Sequence, residues 1–114
     1  MKRYEIHRAS HHGSLAVEVE ESNGARRTLD PRLDLCRHSP TGFEIGYGGS
    51  GPAQLALALL ADATGDSELS IAAHQRFKWA VITPLDRKCP RHVLTDGEIL
   101  EWLRTQGYLA PGAA

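Results

Sequence analysis

The sequence predicts an α+β domain in which a small N-terminal antiparallel sheet packs against three helices. Residues 4–8 and 15–20 alternate apolar and polar side chains, as strands with one buried face do. After residue 50 the apolar residues instead recur at helical spacing. Because the strands come first and the helices follow, the order favours a segregated α+β arrangement.

The length and composition are those of an ordinary globular domain. A chain of 114 residues suits a single domain, which we expect to cover residues 1–110, followed by a loose tail at 111–114. A formal net charge of −1 provides no global attraction for nucleic acid, so we expect nucleic acid not to be the partner. Neither a signal-peptide core nor a bilayer-length apolar run is present. We therefore expect a cytoplasmic protein that does not contact membranes.

The first strands are predicted to form a hairpin. Residues 3–9 and 15–21 pair across a turn at 11–14. Asn23-Gly24 is a tight-turn signal, so residues 25–30 are predicted to pair back on the second strand. Residues 43–45 form a short strand that could lie at the sheet edge, and the proline-flanked residues 84–92 are predicted to be a loop.

The first helix, from Pro52 to about Thr64, is expected to be the centre of the fold. Pro52 suits the first helical position, with Ser50 or Gly51 as the cap, and Gly65 ends the helix. The segment has almost no polar face, and a helix that is apolar all round is usually buried.

Two further helices follow. The second begins at a cap at residue 66 or 67, with Phe77 and Trp79 expected in the core and His74 and Lys78 on the wetter side. The third begins at residue 95, where the pattern T-x-x-E predicts a capping box, and ends at residue 107.

The glycine-rich loop GYGGSG, residues 46–51, has the spacing G-x-G-x-x-G and precedes a helix. A dinucleotide site would continue from that helix to a parallel strand, whereas here the next element is another helix. Three interpretations stay open: a sharp structural turn, an anion site at the helix N-terminus, and a contact surface for a partner.

The run HSPTGFEIGYGGSGPAQLALALL, residues 38–60, resembles the signature of an uncharacterised family catalogued as domain of unknown function 6166. The resemblance covers most of the chain from about residue 26. The family occurs in bacteria, phages and other mobile elements. The resemblance therefore implies a fold unit built around the glycine loop and no established activity. The matching motif positions are His38, Ser39, Pro40, Thr41, Gly42, Phe43, Glu44, Gly46, Tyr47, Gly48, Gly49, Ser50, Gly51 and Pro52.

We expect a binding or interaction module rather than an enzyme, of the kind that phages and mobile elements use to engage host proteins. An anti-CRISPR protein is one concrete form. This expectation rests on the occurrence that the resemblance implies and on small size. Tyr47 is the expected anchor, because a tyrosine among glycines cannot easily be buried locally and tyrosine is enriched at interfaces. The expected contact residues are His38, Thr41, Glu44, Tyr47, Gly48, Gly49, Ser50 and Gly51.

Two alternative functions stay open. A small anionic, nucleotide-like ligand would bind at the N-terminus of the first helix, where the N–H groups of Gly49, Gly51 or Ala53 would be free and converging. A small hydrolase would require His38 and Glu44 to face one pocket.

Two other sets of side chains have a simpler interpretation. Cys36, His38, Cys89 and His92 are the ligand types of structural zinc, but we favour small apolar thiols and surface histidines, and expect no cofactor. The arginines at 26, 27, 32 and 37, with basic residues at 87, 88 and 91, could form a basic face. Aromatic residues for base stacking are scarce nearby, so a solvated surface is favoured.

Overall fold

The computed structural model describes residues 1–8, 15–40 and 42–110 and confirms the α+β class. The predicted turn at 11–14, residue 41 and the tail at 111–114 lie outside these residues. None of the helices in the described ranges is long and apolar enough to cross a membrane. The elements are β1 (Arg3–Arg8), β2 (Leu15–Glu20), β3 (Arg26–Thr28), α1 (Ser50–Thr64), α2 (Ser67–Phe77), a π-helical turn (Lys78–Ile82), β4 (Arg91–Thr95) and α3 (Asp96–Thr105).

The sheet has the order β3-β2-β1-β4 and is antiparallel throughout. In the central pair, Tyr4 lies opposite Val19 and Ile6 lies opposite Val17. All four side chains are buried. The period-two pattern therefore placed one face of the predicted hairpin correctly against the core.

The fourth strand was not predicted. Residues 91 and 92 were assigned to a loop, but Arg91–Thr95 pairs with β1 along its length. The predicted strand at 43–45 is reduced to a single bridge between Leu15 and Phe43. Strand β4 has no clear alternation in its sequence, so its conformation depends on the unpaired edge that β1 offers.

Helix α1 is buried from Gly51 to Ala61, which confirms its central place. The sheet, α2, the π-helical turn and α3 surround it. Gly65 ends the helix in the left-handed conformation, with φ 68°, and its N–H donates to the Ala61 carbonyl at 2.9 Å. The N-cap is Gly49, with no side-chain cap, rather than the expected Ser50 or Gly51.

The one polar side chain in the buried middle of α1 organises the loop beside it. Gln54 is fully buried. Its Nε2 donates to the carbonyls of Pro31 and Cys36 at 2.6 and 3.0 Å, and its Oε1 accepts from the N–H groups of His38 and Ser39 at 2.8 and 3.0 Å. This amide therefore satisfies four backbone groups of residues 31–39, which have no regular secondary structure.

A second polar contact ties the end of α1 to the sheet. Asp62 accepts hydrogen bonds from Tyr4 Oη at 2.8 Å and from Arg27 Nη1 at 2.7 Å, and Lys2 Nζ lies 3.3 Å away. Burial acts to raise the pKa of Asp62, but the bonds from Arg27 and Tyr4 outweigh burial and leave the pKa lowered.

The buried stripe of α2 differs from the prediction. Asp66 caps the helix as expected, accepting from the Leu69 N–H at 3.1 Å. His74 and Lys78, expected on the wetter side, are 5% and 7% exposed, whereas Trp79, expected in the core, is 59% exposed. The prediction was wrong because it phased the helix on apolar residues, while these polar side chains find partners inside.

A π-helical turn continues α2. The Thr83 N–H donates to the Lys78 carbonyl at 2.8 Å, which is the i→i+5 bond of this geometry. The wider turn allows Phe77 and Ile82, five residues apart, to be buried together. It therefore keeps the core continuous where the chain leaves α2.

Helix α3 begins as predicted. Thr95 Oγ1 accepts from the Glu98 N–H at 3.1 Å, and the Thr95 N–H donates to Glu98 Oε1 at 3.2 Å, which completes the capping box. Ile99 and Leu103 are buried, and Gly107 follows the helix with φ 84°.

The Gln54 amide provides the first testable prediction. Substitution Gln54→Ala leaves two N–H groups and two carbonyls of residues 31–39 without their partner, and we expect the free energy of unfolding to fall by about 3 kcal/mol. Urea denaturation measures this change. Gln106→Ala, at an exposed position, serves as the control and is expected to change it by less than about 0.5 kcal/mol. Equal stability of the two variants would contradict the assigned role.

Candidate functional site

Two exposed aromatic rings lie at the glycine loop. Tyr47 and Trp79 are 42% and 59% exposed, and each has a cation beside its ring. We call Tyr47, Gly48, Lys78, Trp79 and Arg87 together the aromatic surface. The sequence predicted the contact role of Tyr47 and Gly48 but placed Trp79 in the core.

Glycine is required where these rings meet the backbone. A Cβ atom built at Gly48 would overlap the indole ring of Trp79, and one built at Gly49 would overlap the ring of Tyr47. A side chain at either position would displace a ring. The two glycines therefore let the aromatic side chains lie directly on the loop.

Gly46 is required for a second reason. Its φ of 82° lies in the left-handed region, and a Cβ there would overlap the Arg87 side chain. Its N–H donates to the Ile82 carbonyl at 3.2 Å, which joins the loop to the π-helical turn. The structural-turn interpretation thus holds at Gly46, and it leaves the outer side of the loop available for contact.

The cations hold both rings in place. Lys78 Nζ lies 4.6 Å from the ring centroid of Trp79 and donates to the Gly48 carbonyl at 3.1 Å. The guanidinium carbon of Arg87 lies 5.4 Å from the ring centroid of Tyr47, and Thr83 Oγ1 donates to the Tyr47 carbonyl at 3.3 Å. Cation–π attraction at such distances contributes about 0.5–1 kcal/mol at exposed sites.

One of the three N–H groups expected to be free at the N-terminus of α1 has a partner. The Ala53 N–H, expected to be free, donates to the Gly49 carbonyl at 3.1 Å, because the helix begins at residue 50 rather than 52. A Cβ at Gly51 would lie 2.7 Å from Glu44 Cβ. The first turn therefore packs against a residue that carries a negative charge.

Glu44 is held in an ion pair. Arg8 Nη1 and Nη2 donate to its two carboxylate oxygens at 2.9 and 2.7 Å. These hydrogen bonds are the main cause of a lowered pKa of the Glu44 carboxyl. The carboxylate is therefore charged at neutral pH, with Arg8 as its counter-charge, and is poorly suited to accept a proton as a general base.

A shallow cleft of about 230 Å³ borders the loop. It contains several of the predicted contact residues but not His38. Of the other predicted residues, Gly48 and Gly49 contact the rings, and Thr41 lies outside the described residues. The residues lining the cleft are Ser39, Gly42, Phe43, Glu44, Tyr47, Ser50 and Gly51.

His38 contacts a second histidine. Its Nε2 lies 2.8 Å from Nε2 of His74, whose Nδ1 lies 2.7 Å from the Ile71 carbonyl. Because that carbonyl can only accept, His74 Nδ1 carries a proton, and the Nε2 of a neutral imidazole would then accept from His38 Nε2. The pKa of His38 is lowered, mainly by burial and to a smaller extent by electrostatic interaction with His74 and Lys78. His38 and Glu44 thus have separate partners rather than the shared pocket that the hydrolase hypothesis requires.

The four candidate zinc ligands do not come together. His38 contacts His74, Cys89 Sγ lies 3.2 Å from the Arg91 carbonyl, and His92 Nε2 lies 2.9 Å from the Asp86 carbonyl. Across the parts of the chain that the structure describes, no group of three or more His, Cys, Asp or Glu side chains could hold a metal ion.

Several of the clustered arginines are paired within the chain. Arg27 contacts Asp62 and Glu21, each at 2.7 Å, and Arg32 contacts Asp34 at 3.1 Å. Arg26 and Arg91 both contact Glu5. These ion pairs neutralise four of the seven cations of the predicted basic face, whereas Arg37, Arg87 and Lys88 form no ion pair with a carboxylate of the described residues.

The fold is that of a small α+β domain in which a four-stranded antiparallel sheet and two further helices surround one buried helix. The chain belongs to the family described as "Family of unknown function (DUF6166)", whose model matches residues 4–105. The match confirms the resemblance and extends it towards the N-terminus, to β1 and β2. Comparisons with curated proteins and with solved structures gave no match.

The glycine at position 48 can be tested directly. Gly48→Ala is expected to displace Trp79 and to lower the free energy of unfolding by about 1–3 kcal/mol, because the methyl group overlaps the indole. Tryptophan fluorescence and urea denaturation measure the two effects. Gly97→Ala is the control, since its Cβ would have only Thr95 Oγ1 nearby, at 3.8 Å. Unchanged fluorescence and stability of the Gly48 variant would refute this packing.

The lowered pKa of His38 predicts a dependence of stability on pH. The unfolded chain, with an ordinary histidine pKa near 6.5, binds more protons than the native state as the pH falls below about 7. Stability is therefore expected to decrease from about pH 7.5 to about pH 5.5. Denaturation at both pH values should show a smaller decrease for His38→Gln. If stability decreased equally in the wild-type protein and in His38→Gln, the pH dependence would come from other groups.

Proposed function

We propose that this protein is a binding module without catalytic activity, and that its aromatic surface contacts a protein partner. The observation that carries the proposal is the exposure of Tyr47 and Trp79 on one loop-and-helix surface. A few residues contribute most of the binding energy at a protein interface, and these are enriched in tryptophan, tyrosine and arginine. Here all three residue types occur together, with Arg87 beside Tyr47.

Preorganisation supports this role. Exposed aromatic side chains usually lose conformational freedom on binding, which reduces affinity. Trp79 already contacts Lys78 and the Gly48 backbone, and Tyr47 contacts both Gly49 and Arg87. Because neighbouring groups already restrain both rings, a partner would bind them at a smaller entropic cost.

The residues considered for catalysis have other roles. Glu44 is neutralised by Arg8, and His38 bonds to His74, so neither stands ready to activate a nucleophile. A role in counteracting host defence, including CRISPR complexes, is a more specific form of the proposal. It is supported only by the occurrence that the family resemblance implies and by the small size of the chain.

Affinity capture tests the proposed function. The immobilised protein is exposed, with chemical cross-linking, to an extract of the cells that produce it. We expect Trp79→Ala and Tyr47→Ala each to weaken retention of the captured protein at least tenfold, or about 1.4 kcal/mol. Ile71→Ala is the control, because Ile71 is 45% exposed and lies two helical turns before Trp79.

The controls separate binding from folding. Far-UV circular dichroism must show that the Trp79 and Tyr47 variants keep the native fold, which we expect because both side chains are largely exposed. Equal capture by the wild-type protein and by all three variants would contradict the proposal. Absence of any captured protein, even after cross-linking, would contradict it as well.

A further inference from the structure

We propose that the aromatic surface recognises an acidic segment of its protein partner. This inference rests on the proposed function and names the chemistry of the partner. The observation behind it is a cluster of cations that the chain does not neutralise with its own carboxylates.

Lys78 is the central cation of this cluster. The residue is only 7% exposed, and its ammonium contacts the Gly48 carbonyl and the Trp79 ring. No carboxylate of the described residues lies within 4.0 Å of it. Charges with so little exposure are usually paired, because removal from water is costly. A carboxylate of a partner would provide the missing counter-charge.

Basic residues also outnumber acidic ones in the surrounding chain segment. Residues 71–91 contain five basic side chains and one acidic side chain, Asp86. Arg91 is paired with Glu5, but Arg76, Arg87 and Lys88 form no ion pair with a carboxylate of the described residues. The chain as a whole has a net charge of −1, so the positive charge is local.

No carboxylate of the described residues lies within 4.0 Å of the side-chain nitrogens of Lys78, Arg87 or Lys88. Glu44 also experiences the field of Arg87, but its two oxygens are bonded to Arg8. Asp86 Oδ1 accepts from the Lys88 N–H at 2.8 Å. The cations beside the aromatic rings therefore offer electrostatic complementarity to an acidic partner.

The arrangement of the rings favours a peptide over single-stranded nucleic acid. Base stacking needs an unobstructed ring face. Lys78 and the Gly48 backbone both lie against the Trp79 indole, and Arg87 lies over the Tyr47 ring. Aromatic ring edges carry partial positive charge, so carboxylates fit beside both the rings and the cations.

Selection from a displayed peptide library tests the inference. A random library of peptides about 12 residues long is panned against the wild-type protein after removal of peptides that bind Trp79→Ala. We expect the enriched sequences to be rich in Asp and Glu. A synthetic peptide of the leading sequence should bind at least about fivefold more weakly to Arg87→Gln.

Three controls sharpen the result. Arg3→Gln removes an exposed arginine of β1 that contacts Glu20 and should change the affinity less than about twofold. Replacement of Glu by Gln and Asp by Asn in the peptide should abolish binding. An increase in salt from about 50 mM to about 500 mM should weaken binding severalfold.

Enriched sequences without an acidic excess, or no peptide that depends on Trp79, would overturn the inference. So would stronger binding of the single-stranded DNA dT12 than of any selected peptide. The capture experiment separates this failure from that of the proposed function. One outcome of that experiment would be that Trp79→Ala abolishes capture of the partner while Arg87→Gln and added salt leave capture unchanged. This result would support the proposed function and contradict the acidic partner.

Discussion

The burial of α1 on all sides is the constraint on which the rest of this structure depends. A four-stranded sheet covers only one side of a helix, so α2, the π-helical turn, α3 and the loop at 31–39 must cover the others. Buried polar groups require partners. Gln54 satisfies its own amide and four backbone groups of that loop at once, which makes the loop part of the core rather than a surface connection.

The same constraint shapes the surroundings of the glycine loop, which leads directly into α1. Helix α1 begins against Glu44, and the Ala53 N–H of its first turn donates to the Gly49 carbonyl. Tyr47 of the loop and Trp79 of the π-helical turn lie against it, where Gly48 and Gly49 leave room for their rings. The glycines of this loop therefore have two roles. Gly46 allows a tight turn, and Gly48 and Gly49 allow two exposed rings to lie against the backbone.

Charge is distributed unevenly over the molecule. Around the sheet, carboxylates such as Glu5 and Asp62 pair with arginines and join strands to one another and to α1. Around Trp79, the cations lie against aromatic rings and backbone carbonyls instead. The first arrangement stabilises the fold, whereas the second leaves positive charge beside exposed apolar surface, which is the basis of the acidic partner proposed above.

The sequence by itself determined the elements whose signals are local. Period-two alternation predicted β1 and β2, the Asn23-Gly24 turn predicted β3, and the T-x-x-E pattern located the start of α3. The apolar run predicted the buried helix, and the exposure of Tyr47 followed from its glycine neighbours. Each of these depends on residues close together in the chain, so a single sequence contains the needed information.

Only the tertiary structure decided the features that depend on distant partners. Strand β4 forms because β1 offers an edge, and its own sequence carries no alternating pattern. His74 and Lys78 are buried because His38 and Gly48, more than 25 residues away in the chain, accept or donate hydrogen bonds there. Trp79 is consequently turned outward, and the aromatic surface exists only because a loop and a helix meet. Burial of a polar group depends on whether a partner lies opposite it, and residue spacing along one segment does not specify that partner.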